Sequence, residues 1–320
     1  MTHRNASQRV GDRRDFLCRL SAAAAATAAF GQSATWADQQ KTDGAPPPLP
    51  SIALGPHKIS RMVAGWNPVG GHGHSTLNLS RAMLEYFTPD NTVKFLASCE
   101  QHGITAWQFD HCEKSVDAIR KRREQGTQMK FICLHAERPS GASIKKVFED
   151  TAPMAMVHHG GVTDSLFRAG KHQQVHDFVK KVHDEGMLAG VSSHSPDNIK
   201  RVADEGWEND LFMTCFYYVT RPAEQQQKQL GKVVLGEPFF ESDPIEMTSV
   251  IRQVKQPCLA FKILAAGRHC GSQPSINRAF KFAFQNIKPI DGVIVGMFPR
   301  YADEVAEDVA SARLFAGRRS

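Results

Sequence analysis

The stretch GKHQQVHDFVKKVHDEGMLAGVSSHSP, residues 170–196, carries two periodicities in succession. Val175, Phe178, Val179 and Val182 recur at helical spacing on one face, with Lys180, Lys181 and Asp184 facing out. Gly186 supplies the residue that ends such a helix without steric cost. LAGVSS, residues 188–193, then runs as a short apolar strand that finishes in hydroxyls and His194. A one-sided helix next to a strand that is apolar on both faces is the repeating unit of a covered parallel sheet.

The same rhythm extends in both directions. Strands are predicted at RMVAGW (61–66), TAWQFD (105–110), KFICLH (130–135), MAMVHH (154–159), LAGVSS (188–193), LFMTCF (211–216), CLAFKIL (258–264) and GVIVGM (292–297). Helices are predicted over 89–102, 114–124, 141–150, 170–185, 196–205, 243–254, 274–286 and 301–315. Eight strand–helix units in about 270 residues predict an α/β chain folded as a closed (β/α)8 TIM barrel. An open doubly wound sheet is the rival, and the missing GxGxxG turn after the first strand weakens it.

The barrel domain is expected over residues 51–320. Ahead of it, residues 1–37 contain Arg13 and Arg14, then an alanine-rich apolar stretch and a small-residue site ending at Ala37. This order reads as a twin-arginine-type export signal, which implies passage through the twin-arginine machinery and a periplasmic or secreted location. A basic tail with an alanine-rich helix is the alternative. The apolar stretch is too short for a lasting membrane span. Residues 38–50, DQQKTDGAPPPLP, read as a proline-rich linker. The 39 basic and 33 acidic residues nearly balance, and five of the arginines lie in the signal, so a nucleic-acid partner is not expected and a small-molecule substrate is. Of seven cysteines none forms a CxxC pair, and no disulfide framework is expected.

In such a barrel the C-terminal strand ends build the active site. Seven of the 14 histidines fall at the ends of the first five strands: His72, His74, His111, His135, His158, His159 and His194. Asp110, Glu137, Arg138, Lys262, Arg268 and Arg300 join them. Strand parity lets only one of His158 and His159 point into the mouth. Imidazoles that converge on one cavity are costly to bury unless they bind a ligand or move protons.

Several segments resemble the aldo/keto reductase superfamily. GITAWQFDHCE is similar to its second-strand segment, which puts Asp110 in the place of the catalytic aspartate. MVHHGG is similar to the fourth strand, with His158 as first candidate for the catalytic histidine and His159 as second. The stretch from residue 170 to 202 is similar to the helix, fifth strand and loop that set a nicotinamide-contacting serine, here Ser192. DGVIVGMFPRYADEVAEDVASARL is similar to the last strand and the helix that cradles the adenosine phosphate, with Arg300 and Glu307 at matching positions. The resemblance departs at the chemistry. No tyrosine follows Asp110 in DHCEKSVDA, Leu134 or His135 stands where a lysine is expected, and Ser193 replaces an asparagine. HHGG, SSHSP and FKILAAGR also resemble a group of bacterial barrels with no assigned activity.

Three readings follow. In the first, His111, His135, His158 or His159, and His194 work with Asp110 and Glu137 as acid–base groups on a sugar-like or carbonyl substrate, by lyase, isomerase or hydrolase chemistry. Alternatively, His111, His135, Glu137 and His158 hold a divalent metal. Lys262 is a Schiff-base donor or, equally, a buried lysine paired to Asp110. In the second, the barrel is an NADP-dependent oxidoreductase with a rewired relay, Ser192, Arg268, Arg300 and Glu307 contacting the cofactor. In the third, it binds a polyol without chemistry through Trp66, Trp107 and Tyr217.

Overall fold

A computed structural model describes residues 47–139 and 141–317. The expected export signal and the linker up to residue 46 lie outside the described residues. A hairpin of β1 (Ser51–Leu54) and β2 (His57–Ser60) comes first, turning at Gly55 with a φ of 52°. Glycine holds such a turn position because it has no Cβ to clash. Eight parallel strands follow: β3 (Met62–Ala64), β4 (Ala106–Asp110), β5 (Lys130–His135), β6 (Ala155–His158), β7 (Leu188–Ser193), β8 (Leu211–Cys215), β9 (Cys258–Phe261) and β10 (Gly292–Val295). Each pairs with the next, and β10 pairs back onto β3 through Val293 and Met62. The sheet is a closed barrel, so the open-sheet alternative is excluded.

Eleven helices lie among the described residues. They are α1 (Leu77–Tyr86), α2 (Pro89–Gln101), α3 (Glu113–Glu124), α4 (Ile144–Thr151), α5 (Gly160–Arg168), α6 (Gln173–Asp184), α7 (Pro196–Asp204), α8 (Ala223–Leu230), α9 (Asp243–Gln253), α10 (Gln273–Asn286) and α11 (Glu304–Ala316). None is long and apolar enough to cross a membrane. Three of them, α1, α5 and α8, are absent from the sequence expectation. Helix α1 is announced only by the Thr76 side chain that caps it, and α5 is hidden by the two glycines of its first turn.

Alternation along each strand divides the core in two. Val63, Ala106, Ile132, Ala155, Val157, Leu211, Met213, Leu259 and Ile294 point inward and form one buried cluster, which Ile52, Leu54 and Ile59 of the hairpin join. The hairpin therefore closes the floor of the barrel. Phe131, Cys133, Met156, Ala189, Val191 and Phe212 point outward and meet the helices, including Val175, Phe178, Val179 and Val182 of α6.

Arg61, just before β3, ties the closure together. It is 8% exposed and donates from Nε to the Asp291 carbonyl at 2.9 Å and from its terminal nitrogens to the carbonyls of Lys288 and Ala316. Its guanidinium also lies 5.0 Å from the Phe284 ring centre. Arg61→Met keeps the apolar stem and strands three carbonyls, so it should cost about 3 kcal/mol in urea unfolding. A loss below about 1 kcal/mol would show that these bonds do not hold the seam.

Candidate active site

The C-terminal mouth of the barrel opens into a cavity of about 770 Å³. Asp110, His111, His135, His159, Ser192, His194 and Lys262 line it, together with His72 and His74 from the loop after β3. His158, Glu137, Arg268, Arg300 and Glu307 lie outside the lining.

The choice between the paired histidines is decided by parity, and the ranking of His158 first is corrected. Val157 points into the barrel, so His158 points out, where it is 3% exposed. Its Nδ1 meets Thr163 Oγ1 at 2.7 Å and its ring packs on the edge of Phe178. His159, the next residue, faces the cavity. Burial first, then the charges of Arg138 and His194, push its pKa down to about 4, so it is neutral near pH 7.

Lys262 is held in a relay. His74 Nδ1 lies 2.9 Å from Glu237 Oε1, and its Nε2 lies 2.8 Å from Lys262 Nζ and 2.9 Å from Asn67 Nδ2. A carboxylate only accepts, so Nδ1 carries the proton and Nε2 accepts from the lysine. His74 and Lys262 both adopt left-handed backbone, with φ of 51° and 59°. That conformation is costly for a residue with a side chain and persists only where its surroundings impose it. Burial lowers the Lys262 pKa against the opposing pull of Cys215 and Glu237. The alternative in which Lys262 pairs with Asp110 is corrected, because Asp110 meets Gln108 Nε2 at 3.4 Å instead.

Another carboxylate–imidazole pair joins α5 to the residue just after β7. Asp164 accepts from His194 Nδ1 at 2.8 Å, from Ser193 Oγ at 2.5 Å and from Thr220 Oγ1 at 2.8 Å. Burial raises the Asp164 pKa, but these bonds outweigh it and hold the carboxyl below its ordinary range. His194 is thereby fixed with its Nδ1 proton on Asp164 and its other face on the cavity. Asp110 has no such support. Burial pushes its pKa up to about 7, against the weaker effects of Arg138 and Gln108.

The expected metal set does not assemble. His111 Nε2 is committed to Asp150 at 2.9 Å, His135 Nε2 meets the Ala142 carbonyl at 3.0 Å, His158 meets Thr163, and Glu137 pairs with Lys181 at 2.7 Å. Among the described residues no group of three or more His, Cys, Asp or Glu side chains is placed to hold an ion. The polyol platform is also corrected. Trp66 lines the cavity, but Trp107 is fully buried, and Tyr217 is turned to His269 Nε2 at 3.0 Å.

The residues present fit NADP(H) at one end only. Ser192, which the resemblance sets against nicotinamide, faces the cavity. At the phosphate end, Arg268 lies 3.8 Å over the Phe239 ring and donates to the carbonyls of Ala265 and His74. Arg300 is bonded to Glu85 and the Ala82 carbonyl, at the rim of a separate cleft. Glu307 lies in the first turn of α11 beside Glu304 and Asp308. Burial and these neighbours raise the Asp308 carboxyl well above its ordinary range.

Neither Glu237 nor Asp164 was identified from the sequence. Asp164 lies one turn into a helix whose glycine start concealed it. Glu237 lies 163 residues from His74, and no local spacing joins them.

No protein family matches the chain, and no curated protein does. Among solved structures, the apo form of Gox0644 is similar with a TM-score of 0.50 and 11% identity, over 85% of this chain and 96% of that one. The glycerol dehydrogenase AKR11B4 from Gluconobacter oxydans has a TM-score of 0.42 and 12% identity, over 69% of this chain and 66% of its own. An aldo-keto reductase from Klebsiella pneumoniae in complex with NADPH has a TM-score of 0.48 and 13% identity, over 83% of this chain and 90% of that one. The likeness is one of fold, a (β/α)8 barrel.

The raised Asp110 pKa gives a stability signature. In acid both folded and unfolded chains hold this proton; between the ordinary carboxylate pKa and about 7 only the folded chain holds it, so stability falls as pH rises through that window. Asp110→Asn removes the penalty. Its melting temperature should exceed that of the wild type by several degrees at pH 8, with the gap closing toward pH 4. Equal melting curves at both pH values would contradict this.

Proposed function

We propose that this barrel is an enzyme that forms an imine with a small carbonyl substrate, with lyase or isomerase chemistry following from it. The observation that carries the reading is the placement of Lys262 Nζ on His74 Nε2, 2.8 Å away, with no ion-pair partner among the described residues. An amine held this way in a partly buried site gives up its proton more readily than one in water.

The steps use groups on the cavity wall. Lys262 passes a proton to His74 Nε2, and the imidazolium is balanced by Glu237. The free amine attacks the carbonyl carbon, and the carbonyl oxygen takes a proton from Asp110, which is half-protonated near neutral pH. The carbinolamine nitrogen gives its second proton to the Asp110 carboxylate, the hydroxyl takes the proton from His74 and leaves as water, and a protonated imine that keeps the third amine proton remains. Its positive charge makes it the electron sink. His194, oriented by Asp164, then takes or returns a proton at the adjoining carbon. Water hydrolyses the product imine and restores the amine. The reading includes export through the twin-arginine route, supported by Arg13, Arg14 and the residues that follow, so the reaction is assigned to the periplasm or the cell exterior.

Borohydride reduction tests this directly. Incubated with dihydroxyacetone or pyruvate and reduced, the protein should gain the corresponding secondary amine at Lys262, located by peptide mass. Lys262→Met should lose that adduct, and His74→Gln should slow its formation roughly 10²-fold. Labelling that is spread over surface lysines and unchanged in Lys262→Met would refute the assignment.

A further inference from the structure

Helix α5 begins inside the cavity without a cap. Its N-cap residue is His159, whose side chain makes no capping bond. The N–H groups of Val162 and Thr163 both turn back to the His159 carbonyl. Those of Gly160 and Gly161 cannot bond within the helix, and both residues line the cavity. Free N–H groups at a helix start carry partial positive charge and favour an anion.

A second, independent observation points to a ligand at the same place. Ser192 is 1% exposed, lines the cavity, and its Oγ has no hydrogen-bond partner. His159 Nδ1 is likewise buried without one. Buried polar atoms are almost always paired, so an unpaired hydroxyl on a cavity wall marks a place where something else completes the bond. The space is kept open by Gly160: a Cβ there would stand 2.9 Å from Ser192 Oγ and 3.2 Å from His194 Cε1. The nearby carboxylate, Asp164, already accepts from Ser193, His194, Asn198 and Thr220. Arg138 lines the same cavity, and its charge acts on His159.

We propose that the N–H groups of Gly160 and Gly161, Ser192 Oγ and the guanidinium of Arg138 form an anion subsite for the carboxylate or phosphate of the substrate. Resting on the imine reading, this narrows the substrate to a carbonyl compound that also carries an acidic group: a 2-oxo acid or a phosphorylated sugar. The anion anchors one end of the molecule at α5, and the carbonyl is left for Lys262.

Calorimetric titration of the whole protein with inorganic phosphate and with malonate tests the subsite without turnover. At least one should bind. Ser192→Ala should weaken it about tenfold, Gly160→Ala at least as much, and Arg138→Gln should weaken it and flatten its salt dependence. Stronger binding of phosphate assigns a phosphorylated substrate; stronger binding of malonate assigns a carboxylic acid. Should Gly160→Ala fail to fold, Ser192→Ala still decides, because it removes only a hydroxyl that makes no bond within the protein. Binding of neither anion, or wild-type affinity in Ser192→Ala, would overturn the proposal. A missing imine adduct alongside intact anion binding would strike only the preceding section.

Discussion

Everything in this molecule depends on the alternation of side chains along strands whose ring is closed. Once β10 pairs with β3, no strand can slip by a residue without turning its inner face outward, so inside and outside are fixed for all eight. That constraint sends Val157 to the lumen and His158 to Phe178. It also brings Asp110, Ser192 and His194 to a common space although up to 84 residues of chain separate them. The polar groups of the mouth are thus placed by an apolar pattern far below them.

The barrel was legible because each strand–helix unit writes its own periodicity, and the Val175–Val182 face of α6 is found as read. Parity was also legible in principle, yet the resemblance favoured His158 while the lumen takes His159. Glu237 and Asp164 were not legible. Each acts through one long-range contact, and a lone acid in a loop or a helix has no local mark that sets it apart from a solvated one. The metal set failed for a related reason. Composition shows which ligand types are near a strand end, but not that His111 turns to Asp150 or that Glu137 reaches Lys181.

Two of the carboxylate–imidazole pairs at the cavity, Asp164–His194 and Glu237–His74, differ in how firmly they are held. Asp164 is buried under several donors and leaves His194 little freedom. Glu237 is 37% exposed and comes from the long connection after β8. One pair is built into the wall, and the other is closed by a segment at the rim. Lys262 sits on the second, with strained backbone on both sides of its bond to His74. Strain of that kind gathers where geometry matters more than local comfort.

The hairpin that stoppers the lower end gives the barrel a single doorway. Ile52, Leu54 and Ile59 fill the floor, so whatever enters at the rim must leave by the same way. Arrival and departure then compete for one passage, and a molecule that has finished reacting stands in the path of the next. Such a vessel works as a cul-de-sac rather than a conduit. Its spent compound is a competitor of the fresh one by geometry alone, whatever the chemistry inside.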